Sequence, residues 1–172
     1  MKRFTAMLLL LCVLFSLSAC AKQEELTAPV SFYYLRAPLL NGQISHGAVD
    51  SVIAAEIRES AGYEENFIHL LEIYLLGALD AQFRSPYPLG TFLVDFRLED
   101  GNARVELTDD FAKLTGMDLS LACGCLTMTV LELTDAKSIT IRAEGALMDG
   151  KDTLTFTRSS FVLFDDTVPE TE

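Results

Sequence analysis

Apolar residues fall in three rhythms along this chain, and each rhythm predicts a different kind of element. Residues 7–17 form an apolar run of about eleven, interrupted only by Ser16 and well short of the roughly 20 that cross a bilayer as a helix. Val30-Ser31-Phe32-Tyr33-Tyr34-Leu35 is rich in β-branched and aromatic side chains and reads as a first strand. A loop carrying Pro38, Asn41-Gly42 and Gly47 follows it. Residues 49–57 fit either a strand through Val52, Ile53 and Ile57 or a helical turn through Ala54, Ala55 and Glu56. Either Asn66 caps a helix or Tyr63-Glu64-Glu65 forms its first turn, and Phe67, Leu70, Leu71, Tyr74, Leu75 and Leu79 then recur at the spacing of one helical face. Pro86, Pro88 and Gly90 end that element. Alternation then takes over: Phe92, Val94, Phe96 and Leu98 face inward, against Leu93, Asp95, Arg97 and Glu99. Asp100-Gly101 supplies a tight turn whose central positions need positive φ. Ala103, Val105 and Leu107 return on the inner face, with Asn102, Arg104 and Glu106 outward.

A second helix is predicted over residues 118–133, with Ala122, Leu126, Thr129, Val130 and Leu133 as its buried stripe. Ile139, Ile141 and Ala143 alternate with Thr140, Arg142 and Glu144 as a further strand. Leu154, Phe156, Phe161, Val162 and Leu163 suggest one or two closing strands. Strands interleaved with two helices predict an α+β fold, a mixed or antiparallel sheet with two helices packed on one face.

The start of the chain changes the picture. Lys2 and Arg3 precede the short apolar run, and Leu17-Ser18-Ala19-Cys20 closes it, which resembles a bacterial lipobox. The expectation is a signal peptide over residues 1–19 and a diacylglyceryl Cys20 at the mature N-terminus; the alternative is an ordinary cleaved signal. Two acyl chains suffice for stable anchoring, so the chain is expected on the extracytoplasmic face of the bacterial plasma membrane. A polar tether over residues 20–29 leads to one domain at 30–164 and an acidic tail at 165–172. Removing residues 1–19 from 172 leaves 153, and the loss of Lys2 and Arg3 takes the net charge from −12 to −14. So acidic a domain argues against nucleic-acid binding and against a polybasic membrane patch.

Candidate chemistry is sparse. With Cys12 in the signal and Cys20 acylated, Cys123 and Cys125 remain, and residues two apart on a helix point to different faces and cannot form a disulfide. They read as small apolar helix residues, with a strained redox pair or a metal site as lesser alternatives. His69 with Glu65 and Glu72 has the spacing of a helix-face metal site, although a solvated charged face explains it as well; His46 lies in a glycine-flanked loop. Asp109 or Asp110 with Asp135 or Glu144 could pair as acid and base. No nucleophile elbow, phosphate-binding loop or paired zinc motif occurs, and Ser159-Ser160 has no base nearby in sequence. No cofactor, metal or catalytic residue is expected.

Four segments in order resemble the GerM domain, a sporulation and spore-germination family found in bacterial lipoproteins. They are Phe67-Ile68-His69-Leu70-Leu71-Glu72-Ile73-Tyr74-Leu75-Leu76-Gly77, Ser85-Pro86-Tyr87-Pro88-Leu89-Gly90-Thr91, the hairpin Glu99-Asp100-Gly101-Asn102 with its exit Thr108-Asp109-Asp110-Phe111, and Leu126-Thr127-Met128-Thr129-Val130-Leu131-Glu132-Leu133. Thr134-Asp135 stands where the family usually has proline-glycine. The resemblance implies a compact α+β unit similar to ring-building motifs, and a non-enzymatic module of extracytoplasmic assemblies. Its partners would be envelope or sporulation proteins, or further copies of itself. Arg97, Arg104 and Arg142 break an otherwise acidic surface and are the expected interaction residues. The rival expectation is a small-ligand-binding or enzyme-modulating lipoprotein that uses a crevice between helix and sheet.

Overall fold

A computed structural model describes residues 28–37, 52–60, 62 and 66–161. The predicted signal, Cys20, His46, Glu65, the acidic tail and most of the tether lie outside the described residues.

The strands form two sheets rather than one. β1 (Pro29–Arg36) pairs antiparallel with β2 (Ile53–Glu59), and β3 (Phe83–Arg84) adds two residues against the end of β1, in the order β2-β1-β3. Residues 53–59 are therefore strand. Their Ala-Ala-Glu helix preference is overridden by a regular ladder to β1 that runs from Leu35↔Ile53 to Pro29↔Glu59. The second sheet holds β4 (Leu93–Glu99), β5 (Asn102–Leu107), β6 (Ser138–Ala143) and β7 (Thr153–Thr157) in that order. β5 and β6 are parallel, joined by a short 3-10 turn (Asp109–Lys113) and a long helix, as a parallel crossover requires. The other pairs are antiparallel. The class is thus α+β with two helices and mixed and antiparallel sheets.

Helix α1 (Phe67–Leu75) starts where Asn66 Oδ1 accepts the His69 N–H at 3.1 Å. Leu70, Leu71, Tyr74 and Leu75 form its buried face. It ends earlier than the apolar spacing suggests, because residues 77–80 are pinned to the first sheet. Glu56 Oε1 accepts the backbone N–H of Leu79 and Asp80 at 2.9 and 2.7 Å, and Arg58 donates to the Gly77 carbonyl at 2.8 Å. Glu56 and Arg58 also pair with each other, with the guanidinium over the Phe32 and Tyr34 rings. Leu79, expected in the buried stripe, is exposed as a result.

Helix α2 (Gly116–Leu133) differs most from expectation. In place of a single stripe, every residue from Ala122 to Val130 is buried, as happens when a helix is covered on all sides. Cys123 packs into the main core with Leu107, Ile139 and Ile141 of the second sheet, while Cys125 packs with Leu35 and Ile53 of the first. Gly124 permits the closeness: a β-carbon there would lie 2.9 Å from the Ile53 side chain and 3.3 Å from the Phe161 ring. α2 has the length and apolarity of a membrane span, but here it is the central helix of the core.

α2 also seals a strand edge. On the side of β1 away from β2, the Tyr33 N–H donates to Thr129 Oγ1 at 2.9 Å and the Tyr33 carbonyl accepts from the Tyr74 hydroxyl at 2.8 Å. Side chains thus satisfy backbone groups that a neighbouring strand would otherwise take.

The β4–β5 hairpin turns at Asp100 (φ 50°) and Gly101 (φ 75°), both left-handed as the sequence demands. A register shift between Leu93 and Asp95 inserts Val94 as an extra residue. Leu93 and Phe96 consequently meet the core, whereas Phe92, Val94 and Leu98, assigned inward by simple alternation, are exposed. Ala103, Val105 and Leu107 face inward as expected, as do Ile139, Ile141 and Ala143.

Candidate interaction surface

The motif residues first. Tyr74 of α1 and Tyr87 of the proline loop meet hydroxyl to hydroxyl at 2.5 Å, and the Tyr87 ring stacks toward Phe111 at 6.2 Å. Thr108 Oγ1 donates to the Gly90 carbonyl at 2.7 Å and accepts the Phe92 N–H at 3.0 Å. The Asp110 carboxylate lies against Gly90 (φ 94°), on the side where any other residue would carry its β-carbon. Helix, loop and hairpin exit therefore converge in one buried junction. The hydroxyls of Tyr74, Tyr87 and Thr108 hold segments together, whereas the buried Thr91 Oγ1 has no hydrogen-bond partner, and burial raises the Tyr74 and Tyr87 hydroxyls far above the ordinary range.

Among the described residues the two core thiols are not activated. Cys123 and Cys125 are free and buried, and burial pushes each thiol from 9.0 up to about 12, which leaves no thiolate near neutral pH. His69 is partly exposed on α1, 3.4 Å from Glu72. Among the described residues no group of three His, Cys, Asp or Glu side chains is placed to hold a metal ion. Asp110 pairs with Lys113, and Ser159 and Ser160 bond to Thr157 in a short terminal turn.

Among the described residues, no helix packs on the outer face of the β4–β7 sheet. The two-residue period of each strand, combined with the registers, sets its side chains in rows. One row is Asp95, Glu106, Arg142 and Thr153; the next is Arg97, Arg104, Thr140 and Thr155; the third is Glu99, Asn102, Ser138 and Thr157. The three arginines expected to mediate contacts are brought onto this one face, around an open hollow of about 630 Å³. They are not isolated positive spots. Arg97 pairs with Asp95 at 2.8 Å, Arg104 with Glu99 at 3.4 Å, and Arg142 with Glu106 at 3.7 Å and Asp152 at 3.9 Å. All three are about half or more exposed, and solvated pairs of this kind hold little stability. Arg97 and Arg104 are directly opposite each other, a like-charge pairing that costs stability in an isolated sheet. Toward β7 the face turns neutral, with Thr140 and Thr155 hydroxyls 3.1 Å apart and Asn102 donating to Ser138 at 2.8 Å.

Sequence reasoning did not see the buried Glu56–Arg58 pair. Opposite charges two apart on a strand share a face, which was the available signal, but it becomes readable only once residues 53–59 are known to be strand.

No family model matches the chain, and no curated protein matches it. Among solved structures, the tandem GerMN domains of the sporulation protein GerM from Bacillus subtilis superpose with a TM-score of 0.55 at 16% identity, covering 81% of this chain and 49% of that one. This chain thus spans about half of the tandem protein. The first GerMN domain of the same protein gives a TM-score of 0.53 at 16% identity, over 73% of this chain and 92% of that one. A putative lipoprotein from Clostridium perfringens gives 0.47 at 13% identity, over 77% and 89%, too distant to weigh on the fold. The order of motifs in the sequence and the arrangement of elements in space agree: this chain has a GerM-like fold, that of a GerMN domain.

Proposed function

We propose that this chain is an envelope lipoprotein whose GerM-like domain is a protein-interaction module, not an enzyme, working in an extracytoplasmic assembly of the sporulation or germination kind. The observation that carries it is the outer face of β4–β7, where charges of both signs stand in fixed rows and two arginines face each other. A complementary acidic strip on a partner relieves that repulsion and fixes register, which favours specificity over raw affinity. Anchoring through diacylated Cys20 is supported by Leu17-Ser18-Ala19-Cys20 after its short apolar run. The sporulation setting is supported by the similar GerMN domains of a sporulation protein. The acidic charge disfavours nucleic acid as a partner. A small-ligand reading calls for a concave, mostly apolar pocket, and the hollow on this face is open and lined mainly by charged and polar side chains.

The experiment is affinity capture from intact membranes with the full chain, comparing wild type with a double charge reversal, Arg97→Glu and Arg104→Glu. The expected result is loss of the captured protein with a circular-dichroism melt that stays cooperative and drops only slightly, since the reversal adds carboxylates beside Asp95 and Glu99 on a solvated face. Retention of the same partners by the double reversal rejects this face. Cys20→Ser tests the anchor separately and should move the protein from the membrane to the soluble fraction.

A further inference from the structure

Among the described residues the first sheet ends on β2, whose stretch from Ala55 to Glu59 has no strand beside it on the side away from β1. Proteins ordinarily blunt sheet edges with bulges, short strands, proline or exposed charge. β4 carries a bulge and ion-paired charges, β7 has five residues and β3 two. β2 is seven residues long and pairs with β1 without a register break; of its three charges Glu56 and Arg58 are buried against each other, which leaves Glu59 as its one exposed charge. Among the described residues no strand lies beyond it.

The direction of its free backbone groups can be worked out. Tyr33 sends its N–H and carbonyl away from β2, to Thr129 and Tyr74. Its partner Ala55 is therefore in a non-hydrogen-bonded pair and points its own N–H and carbonyl outward. Arg36 N–H donating to the Val52 carbonyl at 2.9 Å fixes the same alternation from the other end. Ala55, Ile57 and Glu59 thus present backbone donors and acceptors at the edge, and Ile57 is 71% exposed there.

We propose that this edge pairs with the same edge of a second copy, antiparallel, about a two-fold axis at Ile57. Charge separates that register from the two adjacent ones. Centring the axis on Glu56 or Arg58 sets like charges against each other, whereas centring it on Ile57 sets each Glu56 beside Arg58 of the other copy. It also places the two exposed Ile57 side chains in contact and pairs Ala55 with Glu59 of the other copy through outward backbone groups. The interface is isologous and closed, so it yields dimers and not filaments. It is separate from the arginine-bearing face of the second sheet. Strand spacing and rise put the two Pro29 residues roughly 20 Å apart. Tethers over residues 20–28 reach about 25 Å or more, so two copies anchored at Cys20 in one bilayer can pair; only this last point rests on the proposed anchor.

Disulfide trapping tests the register. In a hydrogen-bonded antiparallel pair the opposed α-carbons lie about 5.5 Å apart, within disulfide range. The full chain carrying Ile57→Cys, oxidised in isolated membranes, is expected to run as a dimer on non-reducing gels. Glu59→Cys should not, because the two copies of position 59 are about 13 Å apart along the strands; wild type controls for Cys20, Cys123 and Cys125. Ile57→Pro removes an outward N–H without touching the β1 ladder, and should abolish the dimer of the detergent-solubilised full chain while leaving its circular dichroism unchanged. Absence of the Ile57→Cys dimer overturns the proposal and means that the edge is covered by other residues of the same chain or by a different protein. Equal trapping at positions 57 and 59 also overturns it, as random collision. Failure of the Arg97/Arg104 reversal to affect capture leaves this result untouched.

Discussion

Two threonines on α2 make the sealing of the β1 edge measurable. Thr127 and Thr129 are both fully buried, two residues apart on the same helix. Thr129 Oγ1 accepts the Tyr33 N–H, whereas Thr127 Oγ1 has no hydrogen-bond partner. Replacing either by valine keeps the shape and removes only the hydroxyl. In Thr129→Val the Tyr33 N–H, on a strand edge that the helix shields from water, loses its acceptor. Leaving such a donor orphaned costs about 1–3 kcal/mol. In Thr127→Val a buried unpaired hydroxyl disappears, so the change should be neutral or stabilise by up to about 1 kcal/mol. At roughly 4 °C per kcal/mol for a domain of this size, Thr129→Val should melt about 4–12 °C below wild type and Thr127→Val at or slightly above it. The assay is thermal and urea unfolding by far-UV circular dichroism, with an unchanged urea m-value showing that the unfolded state is not the cause. Equal melting temperatures for the two variants would refute the sealing role of Thr129.

Three further outcomes are expected. Gly90→Ala should cost more than Gly101→Ala: both incur about 1–2 kcal/mol of backbone strain at positive φ, but only the former also displaces the Asp110 carboxylate, since nothing lies within 4 Å of a β-carbon at Gly101; paired urea titrations check the order. Phe96→Ala should cost about 1–3 kcal/mol and not the larger penalty of a fully buried phenylalanine, because Phe96 is only half-buried against the core; a loss above about 4 kcal/mol contradicts that placement. Stability should be flat near neutrality and fall as pH rises from about 9 toward 12: the Cys123 and Cys125 thiols stay protonated in the fold to about 12 but ionise near 9.0 once unfolded, so the unfolded state binds fewer protons across that window. Melting temperatures measured from pH 7 to 11 test it, and Cys123→Ala with Cys125→Ala should remove the decline between about pH 9 and 10 while leaving the part above 10 that the buried Tyr34, Tyr74 and Tyr87 hydroxyls cause.

What the sequence disclosed was whatever short-range geometry determines. Asp100-Gly101 announces its turn because few residue pairs accept two positive φ angles, and Asn66 announces its helix because the cap bond spans three residues. The inward sets Ala103, Val105, Leu107 and Ile139, Ile141, Ala143 follow from a period of two. Long-range terms decided the rest. The extra residue at Val94 arises from pairing with Leu107 and Glu106, and no local signal in Leu93-Val94-Asp95 specifies it. Residues 53–59 became a strand because β1 offered a ladder, against the preference of Ala54, Ala55 and Glu56. Burial of α2 on every side did leave a trace: Ala122, Cys123, Gly124 and Cys125 put small side chains on all faces of the helix, which one wet face does not require.

The candidate surface shows the same division. Strand period alone places Arg97, Arg104 and Arg142 outward, so their common face was within reach of sequence reasoning. Its chemistry was not, because it depends on which residues stand opposite. Register sets Arg97 against Arg104 and Asp95 against Glu106, so that a basic pair stands in one row and an acidic pair in the next. A partner whose charges match these rows is discriminated from one displaced by a whole row, which meets like charge with like. Such discrimination is what the proposed interaction module would need of its surface.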